Sequence, residues 1–202
     1  MTSLPIAWYV ARSAGLVAFA LLTLSVWLGL AMSTRLLGVK RQKALLGLHR
    51  TLAWTGLSMI ALHGTALLFD PTLHFGLAAL LVPFASAWRA GAVTAGVVAA
   101  WLSLALAGSF RARKWIGQKG WRRLHYASFL AFALSLGHAL TAGTDLRGLH
   151  GPVVALIAAG PVLWLSFYRL LVPRSAPRRV APTAAYRLPR ALTCTTLWRR
   201  AR

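Results

Sequence analysis

Five stretches of the chain contain no Lys, Arg, Asp or Glu, and each is about as long as a bilayer is thick: 13–34, 51–69, 90–110, 124–144 and 148–168. A membrane helix needs about 20 mostly apolar residues. Backbone inside lipid must satisfy its own hydrogen bonds, so a helix is the element to expect. The pattern predicts an all-α integral membrane helix bundle, with five spanning helices at about 8–33, 44–69, 90–110, 121–143 and 150–171. Composition agrees: the chain is 58% hydrophobic and 12% charged, whereas soluble domains have about 25% charged residues. An ordinary soluble enzyme and a disordered chain are both excluded.

The charges between these stretches set the expected orientation. Arg35, Lys40, Arg41, Lys43 and Arg50 form one cluster, and Arg111, Arg113, Lys114, Lys119, Arg122 and Arg123 a second. Arg169 and eight arginines of the 173–202 tail form a third. Alternating crossings put all of these on one side, leaving only Arg12, Arg89 and Arg147 on the other. Basic residues collect on the cytoplasmic side. The expected location is therefore the plasma membrane, multi-pass, with the N-terminus outside and the C-terminus in the cytoplasm. The same parity makes 71–88, with Pro71 and Pro83, begin and end outside. It reads as an outer interfacial or re-entrant segment, from about 72 to 88. Trp8, Trp88, Trp115 and Trp121 fall near the expected interfaces, where amphipathic rings collect. Residues 1–172 read as the membrane domain. Residues 173–202, with four prolines and eight arginines, read as a basic disordered cytoplasmic tail near anionic lipid. Basic flanks are what the topology requires, so no nucleic-acid partner is expected.

The inventory for chemistry is narrow. Asp70 and Asp145 are the only acids, and Cys194 the only cysteine. Paired-carboxylate catalysis, carboxylate cages for Ca²⁺ or Mg²⁺, and thiolate-held zinc or iron–sulfur clusters are excluded. Six histidines remain. His74 and His150 flank outer loops and read as solvated. The other four fall at membrane depth, where ionisable groups are costly and mark function. His49 and His63 lie 14 residues apart in the second helix, and His125 and His138 lie 13 apart in the fourth. At 1.5 Å per residue these are separations of about 21 and 20 Å. Both helices run the same way, so His49 shares a cytoplasmic level with His125, and His63 an outer level with His138.

A heme iron accepts two axial imidazoles. One histidine from each of two helices at matched height suits that need, and the sequence offers the arrangement twice. Helical phase is less even. A 14-residue step returns to within about 40° of the same face, whereas a 13-residue step is off by about 140°. The fourth helix therefore needs a local break, and Gly137 with Ser135 is the expected place. His49, next to Arg50 at the helix end, is the weakest of the four candidates. Gly47, Gly56, Gly64 and Gly137 read either as helix-packing positions or as places for a flat ring to approach the backbone. Each ligand is expected to use Nε2 and to hold Nδ1–H on a backbone carbonyl or hydroxyl. Arg12 and Arg89 are the expected outer partners of heme propionates, since a bare carboxylate is penalised in the membrane.

These residues carry a resemblance. L-L-G-L-H-R (45–50), A-L-H-G (61–64), W-I-G-Q-K-G-W-R-R-L-H-Y (115–126) and L-G-H-A-L (136–140) resemble the ferric reductase-like transmembrane domain over about residues 7–172. That superfamily includes the NADPH oxidases, the ferric reductases, and the heme-binding subunit of the periplasmic methionine sulfoxide reductase system. The resemblance implies b-type heme held by histidines of two helices. His63, His125 and His138 match ligands common to both branches. His49 matches the additional inner ligand of the two-heme branch, which implies two hemes. The oxidases continue into FAD and NADPH domains and this chain does not. It reads as an oxidoreductase component: a cytochrome passing electrons from a flavoprotein carrying FMN or FAD, or from a quinol, to an unidentified outer acceptor. The alternative is a cofactor-free polytopic protein, a small transporter or assembly subunit.

Overall fold

A computed structural model describes residues 6–34, 38–71, 73–143, 145–146 and 148–172. Arg35, Arg147 and the basic tail at 173–202, each named above, lie outside the described residues. The elements are α1 (Ile6–Thr34), a 3₁₀ turn (Val39–Arg41), α2 (Gln42–Leu68), α3 (Leu77–Leu81), α4 (Ala90–His125), α5 (Ala127–Ala142) and α6 (His150–Leu171). The described residues thus form an all-α bundle with helices long and apolar enough to cross a membrane. Leu156, Trp164, Phe167 and Leu170 of α6 face outward, up to 80% exposed. Such a belt is costly in water and natural in lipid.

The first hairpin joins α1 to α2 through Gly38, whose φ of +75° favours glycine. Its antiparallel register is constant: Ala11 meets His63, Ser25 meets His49, and Gln42 reaches the Met32 carbonyl. The α1 face turned inward carries Ala11, Ala14 and Ala18, all nearly fully buried. Small residues at this spacing let two helices approach closely where no hydrophobic force drives them together. A Cβ at Gly56 would stand 2.9 Å from Leu22, so that glycine serves this packing.

The second hairpin corrects the sequence reading. The basic segment 111–123, expected as a loop between helices ending at 110 and starting at 121, is helical on both sides of Gly117. Gly117 alone breaks the path, with φ +71° and ψ 168°. The chain reverses there, since His138 meets Ala92 and Trp121 meets Phe110, which places the turning point between them. Residues 118–125 continue into α5 through a single turn at Tyr126. There Tyr126 N–H reaches the Arg123 carbonyl and Phe129 N–H reaches the Tyr126 carbonyl, both at 3.1 Å. The break lies here and not at Gly137, because these tighter three-residue bonds re-phase the helix directly after His125. Arg169 of α6 donates to the Tyr126 hydroxyl at 2.9 Å.

Among the described residues of the 72–88 segment, 73–88, the one helix is the five-residue α3. Trp101 Nε1–H donates to the Leu81 carbonyl at 3.0 Å, and Phe84 N–H donates to Thr94 Oγ1 at 2.8 Å. Trp101 is eleven residues into α4, about 16 Å along its axis. The segment therefore dips beside α4 and returns. Phe75, Val93 and Val97 form the core beneath it, joined by Leu73, Ala79, Leu80 and Trp88. A second core joins Leu30 of α1 to Val162 and Leu165 of α6 and to Phe129 and Phe132 of α5. Trp27 Nε1–H donates to the Ala158 carbonyl at 3.0 Å across the same contact.

Candidate functional site

α1 packs along α2, and α4 along α5, while α2 and α5 stand apart. His49 and His63 of α2 face His125, the last residue of α4, and His138 of α5 across that separation. His49 meets His125 with ring centres 6.3 Å apart, and His63 meets His138 also at 6.3 Å. The ring planes are inclined by 69° and 77°. The paired heights expected from the sequence are therefore what the fold brings together. His74 and His150 are exposed and take no part.

The separation is informative. A ring nitrogen lies about 1.1 Å from the imidazole centre, so no two nitrogens across either pair approach closer than about 4 Å, beyond hydrogen-bond reach. One ion held between two imidazoles at about 2.0 Å per bond puts the ring centres about 6.3 Å apart. Two ligands are too few for a bare ion. Among the described residues no group of three or more His, Cys, Asp or Glu is placed to hold a metal. The donor set fits a metal whose other ligands come from a flat ring, as in a heme.

Three of the four rings are fixed by a hydrogen bond at the opposite nitrogen. His63 Nδ1 lies 2.7 Å from the Ala11 carbonyl, His49 Nδ1 2.8 Å from the Ser25 carbonyl, and His138 Nδ1 2.8 Å from the Ala92 carbonyl. A carbonyl only accepts, so Nδ1 carries the proton, and the neutral ring keeps its lone pair on Nε2. Such a bond also orients the ring and raises its basicity as a ligand. His49, the weakest candidate by sequence, is the most tightly held, because Ser25 Oγ also lies 2.9 Å from its Nδ1 and donates to its carbonyl. His125 is the exception: its Nδ1 is buried without a partner among the described residues.

The close approach of ring to backbone depends on glycines that sequence reasoning missed. Four residues beyond each accepting carbonyl stands Gly15, Gly29 or Gly96. A Cβ would lie 2.9 Å from His63 Nδ1 at Gly15, 2.7 Å from His138 Nδ1 at Gly96, and 3.5 Å from His49 Cε1 at Gly29. A signal was present: Gly15 and Gly29 are 14 residues apart, the same step as His49 and His63. It has meaning only once α1 is known to pair with α2. Of the glycines singled out from sequence, Gly47, Gly64 and Gly137 have nothing within 4 Å of a Cβ position.

Arg12 and Arg89 both stand near the level of His63 and His138, and each has a partner within the chain. Arg12 pairs with Asp145, Nε to Oδ2 at 2.8 Å, and lies 3.9 Å over the Trp8 ring. Arg89 donates to the Thr141 carbonyl in the last turn of α5. A cation there satisfies an end carbonyl and opposes the negative end of the helix dipole. Comparison of the chain with protein-family models, curated proteins and solved structures finds no match.

Proposed function

We propose that this chain is a b-type membrane cytochrome that holds two hemes and carries electrons from a cytoplasmic or membrane donor to an outer acceptor. The observation that supports it best is the doubled imidazole pair at a metal-bridging separation, with three Nδ1 atoms already turned to carbonyls. In this reading His49 and His125 hold the inner heme, and His63 and His138 the outer. When bound, such a group supplies reversible one-electron chemistry at iron. Each such group would be held by the chain's own side chains, one imidazole from each side of the pair, an arrangement that would suit electron transfer. α2 holds the two levels about 21 Å apart, a spacing that puts one pair near each membrane face. The donor is a partner flavoprotein carrying FMN or FAD, or a quinol. Arg12 and Arg89 are the outer cations for the propionates, beside the bonds they already make. The chain is then the membrane component of an oxidoreductase.

The test is heme stoichiometry. Protein purified from heme-replete cells is expected to contain two hemes b per chain by pyridine hemochrome, with a low-spin ferric spectrum and a dithionite-induced α-band. A colourless preparation sinks the reading.

The finer topology belongs to the same proposal. Five membrane spans run along α1, α2, 90–116, 118–142 and α6, with the N-terminus outside and 72–88 re-entering from the outer face. A cysteine at Leu77, which is 64% exposed, is expected to react with an impermeant maleimide from outside, while native Cys194 reacts only after the membrane is opened. Labelling of Leu77→Cys from the cytoplasmic face alone refutes this topology.

A further inference from the structure

Three of the imidazoles are fixed through Nδ1 by a carbonyl, and His125 is not. The helix phase accounts for the difference. In the first hairpin the 14-residue step of the histidines is repeated in α1 by Ala11 and Ser25 and by Gly15 and Gly29. In the second the step is 13, and the register places Ala105 and Ser109 level with His125. Thirteen residues turn a helix face by about 140°, so those positions do not repeat what Ala92 and Gly96 offer His138.

Another contact stands in its place. The Trp121 indole lies on the His125 ring, centres 5.0 Å apart and planes within 25°. Trp121 is one turn before His125 on the same rod. Across the Gly117 reversal, Phe110 meets its edge at 6.2 Å and 81°. Arg113 lies 5.9 Å over Trp121, and Arg50 of α2 lies 5.4 Å over Phe110. The indole is thus held on two sides before it meets the imidazole.

We propose that Trp121 is the positioning residue of the inner site: its stacked indole sets the plane of the His125 ring, in place of the Nδ1–carbonyl bond that sets the other three. This rests on the reading of the histidine pairs as heme ligands. A stack fixes the plane of a ring but leaves it free to turn within that plane, whereas a hydrogen bond fixes both. His125 is therefore the least constrained of the four ligands. Its Nδ1–H is not polarised by a carbonyl, which makes it the weaker electron donor to a metal.

The experiment compares Trp121→Leu, Trp121→Met, Trp121→Phe and His125→Ala in the full chain, by heme per chain, ferric spin state and redox titration. His125→Ala gives the spectrum of a chain without the inner heme. Trp121→Leu and Trp121→Met are expected to lose at least half of the inner heme, shifting the spectrum toward that reference, and to keep the outer heme at full occupancy. Trp121→Phe keeps a flat ring and is expected to retain both. Two hemes in the Leu variant, with wild-type low-spin spectrum and midpoints, overturn the proposal while leaving the cytochrome reading intact. Loss of both hemes in the Leu and Met variants makes Trp121 a general packing residue and overturns it as well. A wild-type chain that binds no heme overturns the reading beneath it.

Discussion

If the two histidine pairs hold one heme each, as proposed, a chain carrying His63→Ala is expected to bind a single heme, and that one should keep its low-spin spectrum and its midpoint potential. The two histidine levels are about 21 Å apart along α2 and share no hydrogen bond. His49 stays anchored on Ser25 whatever occupies position 63. The lost ring leaves the buried Ala11 carbonyl without its imidazole donor, at a cost of about 1–3 kcal/mol, too little to unfold a bundle whose helices are also held by lipid. His138→Ala should give the same phenotype from the other helix. The double variant should be no worse than either single one, because both remove the same site. Heme stoichiometry and redox titration of the three proteins check this. Two hemes in His63→Ala, or an inner midpoint that moves as far as the outer signal falls, would count against independent sites.

The helices were legible because charge is so unevenly spread: a bilayer-length run without Lys or Arg has few alternatives to a membrane helix. Histidine heights were legible for the same reason, since axial rise is linear in residue number. The reversal at Gly117 was not. The segment W-I-G-Q-K-G (115–120) has two glycines and no proline, and neither composition nor charge says which glycine takes a left-handed φ. A loop across all of 111–123 was the reading that resulted. The phase problem of the fourth helix was visible in the 13-residue step, but its solution was misplaced at Gly137. The helix re-phases at Tyr126, a residue with ordinary φ and ψ of −64° and −20° and no sequence signature. The pairing of helices was the largest blank. Without it, Ser25, Gly15, Gly29 and Gly96 are unremarkable membrane residues, although they decide which histidine nitrogen is free. The Arg12–Asp145 pair was within reach, because the chain has only two acids, but the choice of partner depends on how α1 sits against the α5–α6 turn.

Those glycines carry the second large effect. Gly96→Ala is expected to abolish the outer heme, Gly15→Ala to weaken it, and Gly29→Ala to leave the inner heme in place. The order follows from where each added methyl would go. At Gly96 it would meet His138 Nδ1, Cε1 and Cγ at 2.7, 2.8 and 2.9 Å, across the face of the ring. Ordinary carbon contacts begin near 3.5 Å, so the imidazole must retreat by about 0.6 Å or more. Its bond to the Ala92 carbonyl is now 2.8 Å. The same displacement stretches that bond past useful length and carries Nε2 out of line with His63. Overpacking of this kind costs about 1–3 kcal/mol, and α4 cannot relieve it by moving away, since Thr94 and Trp101 of the same stretch are bonded to the 72–88 segment. At Gly15 the nearest approach is 2.9 Å, to His63 Nδ1, with the other ring atoms at 3.2 and 3.6 Å, so a smaller retreat suffices. At Gly29 the methyl would sit 3.5 Å from His49 Cε1, an ordinary contact. All three substitutions replace glycine by a better helix former, so helix propensity favours every variant and cannot produce a graded loss. The inner heme reports folding in Gly96→Ala and Gly15→Ala, and the outer heme reports it in Gly29→Ala. Equal occupancy of the outer site in Gly96→Ala and wild type, measured by hemochrome with redox titration to resolve the two signals, would show that His138 does not depend on its approach to the Ala92 carbonyl.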